Sequence, residues 1–202
     1  MFKNMRVATK LGLGFGSVVA LLVLATLLGI MRMSAINSSN DVIVDDRYPK
    51  IVDANIIKEE TLNQARLIRD LIILDDQASD QKNLALISES RERRAKAVEN
   101  LQNTVTAPKA LELLARINSA RELVGQRYDE IYKLMDDQER ALAYLYSEII
   151  PANNELLKAS TALADFQAEL MEQSQNESTA LFEESRMQLM IIGGVAALIS
   201  VL

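Results

Sequence analysis

The chemistry this sequence offers rests on five arginines and a tyrosine: Arg66, Arg69, Arg91, Arg94, Arg121 and Tyr128. A guanidinium presents a planar fork of N–H donors that matches a carboxylate two bonds at a time, so converging arginines suit an organic acid, and a nearby phenol adds a further hydrogen bond. Arg121 stands first among them. It falls in the line Leu111, Leu114, Ile117, Arg121, Val124, Tyr128, Ile131, Met135, at steps of three and four, where leucine would serve packing alone. A charge at a core position needs a partner. Tyr128 lies two turns further along the same line. The plainer reading of Arg121 is an ion pair with a carboxylate of a neighbouring helix, or a head that reaches water over an apolar stem.

Arg66 and Arg69 are three apart and therefore share a helix face, one step off the line Ala54, Ile57, Thr61, Ala65, Ile68, Ile72. Such a flank can meet a second subunit. Arg91 and Arg94, with Arg93 and Lys96, read most simply as a solvated face that pairs with Glu89, Glu92 and Glu99. On antiparallel helices, however, Arg91 and Arg94 fall near the depth of Arg121, and Arg69 near that of Tyr128, so a basic pocket in the half distant from the chain ends is geometrically open to them. Arg127, Tyr132 and Tyr144 are weaker candidates.

Composition narrows the alternatives. The chain has 202 residues, a net charge of -6 and no Cys, His or Trp, which removes the usual materials of nucleophilic and metal sites. No metal or cofactor is expected, and no enzyme activity, since no carboxylate stands within an apolar stripe where its pKa would rise. An acidic balance without a basic-aromatic patch gives no footprint for nucleic acid. Without cysteines, stability must come from packing and from a partner subunit. Seven Gly and three Pro leave little material for turns, and the remaining composition favours helix.

The elements that would position the arginines follow from hydropathy and breakers. Residues 11–31 carry no charge and would form about 31 Å of helix, enough to cross a bilayer core. Lys3, Arg6 and Lys10 place the N-terminal residues 1–10 in the cytoplasm, and the Met31 to Ala35 stretch is a poor signal-cleavage site. A second uncharged run, 189–202, is too short to span and reads as the start of a second membrane helix in a truncated chain; a short C-terminal anchor is the alternative. Between them, 32–188 reads as an external sensor domain. Four helices are expected within it, at about 32–75, 79–104, 107–135 and from 137 into the second run. Asp75, Asp76, Ser79 and Asp80 mark one break; Thr106 serves as N-cap with Pro108 in the first turn at the next; Asp136 and Glu139 form a capping box at the third. The last helix carries the stripe Leu142, Leu145, Ile149, Ala152, Leu156, Ala159, Leu163, Phe166, Leu170. Pro49 and Pro151 should kink or break the long helices. The fold class is all-α, an antiparallel up-down-up-down four-helix bundle flanked by two membrane helices.

The opening Lys10-Leu11-Gly12-Leu13-Gly14-Phe15-Gly16, the Arg47-Tyr48-Pro49 break and the stretch from Arg66 to Leu74 together resemble methyl-accepting chemotaxis proteins with four-helix-bundle sensor domains, over the whole chain. The resemblance implies an inner-membrane receptor, homodimeric, whose periplasmic bundle binds a small attractant and whose cytoplasmic part controls a kinase complex. In aspartate-type members, first-helix arginines hold the ligand at the dimer interface; Thr61-Leu62-Asn63 followed by Arg66 and Arg69 is similar, although only Arg69 stands near an expected arginine. The expected ligand is a small carboxylate, and the expected signal a shift of the fourth helix, for which differential affinity between two states is required. Two other readings stay open: a histidine kinase or nucleotide cyclase as the output, and a bundle that binds another protein and no small molecule.

Overall fold

A computed structural model describes residues 7–74 and 77–201, and among them every regular element is helical: α1 Val7–Asp41, α2 Tyr48–Ile73, α3 Gln77–Thr104, α4 Pro108–Tyr132, α5 Gln138–Tyr144 and α6 Ile150–Val201. Single π-helical turns, Val42–Arg47 and Leu145–Ile149, precede α2 and α6. The expected proline breaks therefore take the form of π turns. Each proline lacks the N–H that an α turn would use, and its ring crowds the carbonyl four residues back, Asp45 for Pro49 and Ser147 for Pro151. A turn that closes one residue later relieves both. Pro49 then sits in the first turn of α2, where a missing donor costs nothing.

The chain forms two compact units. Residues 44–171 make the bundle, which contains α2, α3, α4, α5 and the first part of α6. Its core is built from Ile57, Leu67 and Ile68 on α2, Val98 and Leu101 on α3, Leu114, Ile117, Val124 and Ile131 on α4, and Leu145, Ile149, Leu156 and Leu163 on the last strip. Apolar residues at steps of three and four put one stripe of each helix inward, the seam of antiparallel packing. On the α4 line two apolar positions differ, and Ala65, Leu142, Phe166 and Leu170 of the other lines are only half-buried. Leu111 is 47% exposed, because α4 turns Ala110, Leu113 and Leu114 inward instead, and Met135 is only half-buried.

The caps differ from expectation as well. Ala107, extended at φ -66° and ψ 134°, occupies the N-cap position of α4, and Thr106 does not cap it; Pro108 opens the helix, as its fixed φ favours. At α5 the cap is Asp137 rather than Asp136, and its side chain accepts a hydrogen bond from the Arg140 N–H at 3.1 Å. That bond satisfies an otherwise orphaned donor, so Asp137→Ala should cost about 1 kcal/mol in thermal denaturation while Asp136→Ala costs little. Asp75 and Asp76 lie outside the described residues.

The other unit comprises residues 7–43 and 172–201 of the described chain. Within it Arg32 Nη2 meets Glu184 Oε1 at 3.1 Å, and the Ser39 hydroxyl donates to the Ser174 carbonyl at 3.0 Å. Large apolar side chains on α1, among them Leu11, Phe15, Leu22 and Ile30, face outward, as does Leu198 near the end of α6. Of the described helical stretches, one, which starts at Leu11, is long and apolar enough to cross a membrane.

Candidate ligand-binding site

The bundle carries a polar layer across its core. Helix α3 supplies it because its inward face is poor in large apolar residues: Ser90, Arg94 and Ala97 point inward where Leu or Ile would otherwise stand. Small neighbours leave room for a long side chain. Arg94 fills that room and is 94% buried, which its 6% exposure states directly. Among the described residues its Nη1 has no hydrogen-bond partner and its guanidinium makes no ion pair. Burial lowers the Arg94 pKa to about 10, with the nearby Arg91 and Arg121 charges lowering it further and the Tyr128 and Glu60 oxygens opposing them. The residue stays cationic at neutral pH, at an energetic cost.

Tyr128 stands at the same level on α4, 99% buried. Asn153 of α6 contacts its oxygen: the amide nitrogen donates to the phenol at 3.1 Å, and the alternative, phenol to amide oxygen, is longer at 3.4 Å. With the amide as donor, the phenol keeps its own proton for a ligand. Burial raises the Tyr128 pKa, so that proton is retained at physiological pH. Arg91 lies 5.8 Å from the centre of the Tyr132 ring, a cation–π contact that holds it at the rim. Arg121 is half-buried on α4. Neither Arg91 nor Arg121 has a carboxylate partner among the described residues.

Of the six residues singled out in the sequence, Arg91, Arg121 and Tyr128 thus come within electrostatic reach of Arg94. Their ranking changes. Arg121 is not the core cation, since the α4 seam closes through Ile117 and Val124 and leaves Arg121 half-exposed; Arg94 occupies the interior. Arg66 and Arg69 stand apart from the cluster: both are exposed on α2, and Arg66 bonds Asp70 and Asn63 while Arg69 lies 3.8 Å from Asp70. The solvated-face reading holds for Arg93 with Glu89 and for Lys96 with Glu99, and fails for Arg94.

Sequence reasoning missed the buried carboxylates. Asp53 and Glu60 on α2 are both nearly enclosed, contrary to the expectation that none stands in an apolar stripe. Burial pushes the Asp53 carboxyl up, partly offset by the Asn100 amide at 3.1 Å and the charge of Lys96. Burial pushes Glu60 up too, but the fork of Arg93 with Ser90 and Asn63 outweighs it and holds Glu60 below its ordinary value. Both stand one step off the apolar line, Asp53 before Ala54 and Glu60 before Thr61, a spacing that does not by itself decide between enclosure and exposure. Among the described residues no group of three or more Asp and Glu is arranged to hold a metal ion.

A family model described as a four helix bundle sensory module for signal transduction matches residues 4–182. The chain belongs to this family, the sensory modules of methyl-accepting chemotaxis proteins. No match was found among curated proteins. The family accounts for the architecture just described, an all-helical bundle in which the polar layer is the exception to an apolar core. The family is a signal-transduction sensory module rather than a class of enzymes.

Proposed function

We propose that this sensory module is the periplasmic, membrane-anchored part of a chemoreceptor and that it binds a small organic acid within its bundle. One observation supports the ligand class above others: Arg94 is buried with an unpartnered Nη1, and the charges of Arg91 and Arg121, neither with a carboxylate partner among the described residues, both act on it. Like charges so placed repel, and an anion turns the repulsion into attraction. In this reading Arg94 grips the carboxylate, Tyr128 donates its phenol proton to it, and Arg91 and Arg121 neutralise a second acidic group or the rim of a ring. The outward apolar side chains of α1 and the length of its uncharged run support a bilayer as their surroundings.

Transmission in this reading runs through α6, a single helix of 52 residues that bears Asn153, the partner of Tyr128, near its start. A ligand that engages Tyr128 changes what Asn153 bonds to, and differential affinity for two packings of α6 is what turns binding into signal. A homodimer, with Arg66 and Arg69 on an exposed flank of α2 where they could exchange Asp70 for a partner subunit or its ligand, and control of a cytoplasmic kinase complex complete the proposal.

Calorimetry of the full chain in detergent micelles against a panel of mono-, di- and tricarboxylates tests it. Binding is expected for at least one acid, with affinity reduced about tenfold or more in Arg121→Ala, in line with the loss of one charge-assisted contact. Absence of heat with every acid, or heat unchanged in Arg94→Ala and Arg121→Ala alike, would sink the site.

A further inference from the structure

Arg93 and Arg94 are consecutive on α3 and therefore diverge by about 100° around the helix, one outward and one inward. Glu60 of α2 answers to both. Its carboxylate is 92% enclosed and is bound by the fork of Arg93, with Nη2 to Oε2 at 3.2 Å and Nε to Oε1 at 2.5 Å. It also attracts Arg94 across the polar layer without bonding to it. The backbone under Glu60 is fixed, because the Ser90 hydroxyl donates to the Glu60 carbonyl at 3.2 Å and itself receives a bond from Gln64 Nε2 at 3.2 Å. Only the carboxylate end is left to choose a partner.

We infer that Arg93 is a positioning residue that holds the Glu60 carboxylate away from Arg94, and that Glu60, once released, competes with an organic acid for the Arg94 guanidinium. The inference rests on the anion site proposed above. Its physical basis is a contest between two cations for one enclosed carboxylate. Arg94 is the more strongly desolvated and gains more from a counter-charge. Arg93 is half-exposed, yet it engages Glu60 through two parallel bonds, a geometry that a single rotated contact to Arg94 does not match. While the fork is closed, the most enclosed cation of the layer is available to a ligand. Arg93 thereby sets affinity from a place where it touches no ligand atom.

The experiment is titration calorimetry of the full chain in detergent micelles with citrate and, separately, benzoate as probes, on wild type, Arg93→Ala, Glu60→Gln and the double variant, with helicity checked by circular dichroism. The wild type is expected to bind at least one probe. Arg93→Ala should weaken that binding about tenfold, Glu60→Gln should bind at least as tightly as wild type, and the double variant should return to the Glu60→Gln affinity, a coupling of the size seen between neighbouring charges. A purely structural role for Arg93 would leave the double variant as weak as Arg93→Ala, which overturns the inference. Equal affinity in wild type and Arg93→Ala also overturns it and leaves the anion site standing. Heat from neither probe in the wild type overturns the site and the inference together.

Discussion

Arg94→Met should make the ligand-free chain more stable and unable to bind an acid. A guanidinium whose pKa is lowered to about 10 by burial carries its charge at a cost in folding free energy, on the order of a few kcal/mol at neutral pH. Methionine fills the same elongated space without a charge and removes the repulsion from Arg91 and Arg121. Denaturation in micelles at pH 7 should therefore show a gain of about 2 to 3 kcal/mol, unusual for a substitution at a buried position, where most lose stability. The sign has a pH signature. Arg94 is a base with a folded pKa below its unfolded value, so above about pH 10 the unfolded chain still holds a proton that the folded one has lost, and wild-type stability rises with pH there. The advantage of the variant should narrow there. A destabilised Arg94→Met would mean that the charge is compensated within the protein and that the polar layer is structural. The trade of stability for a binding site is a common feature of functional positions.

Leu156→Ala should have the opposite and larger effect. Leu156 is fully buried on α6, one turn beyond Asn153, and its loss leaves a void between helices that cannot close without moving them; the cost is about 3 kcal/mol. Leu111→Ala, by contrast, should stay within about 0.5 kcal/mol, since Leu111 is exposed. Thermal melts of the two variants side by side decide whether the seam of α4 runs where the structure has it. Equal losses would put Leu111 back into the core.

That pair of leucines also shows how far the sequence could be read. The period of three and four gave both as core, and it was right for Leu114, Ile117, Val124 and Ile131, where the whole width of the stripe is apolar. Near the start of α4, leucines stand at 111, 113 and 114, and any of several helix rotations satisfies the pattern. Which one occurs depends on Pro108 and on the neighbours, information that a single helix does not contain. The same limit governs the site. Arg121 stands out in the sequence because it interrupts a strong stripe, yet it is half-exposed, whereas Arg94 stays open between a solvated face and a basic pocket because α3 has no strong stripe to interrupt. Its inward face of Ser90, Arg94 and Ala97 is defined by α2 and α4, whose register against α3 is set by contacts such as Gln64 with Ser90 and Asp53 with Asn100. Burial of Asp53 and Glu60 was hidden for the same reason: a carboxylate one step off an apolar line is enclosed or free according to what packs on that side. Helix boundaries were easier to place within about a turn, because prolines act near their own position, although the capping positions fell one residue later than Thr106 and Asp136.

The two π turns bear on how the length of this bundle can change. Each closes its hydrogen bonds one residue later than an α turn does and so carries a spare residue immediately ahead of a proline. Losing one residue from 145–149 converts that turn to α and leaves the flanking seams in phase. The same loss between Leu156 and Leu163 swings every later position by about 100° and aims the seam at water. A one-residue loss is thus better accommodated at 42–47 and 145–149, provided the proline that follows is replaced as well, than along the rest of the inward faces.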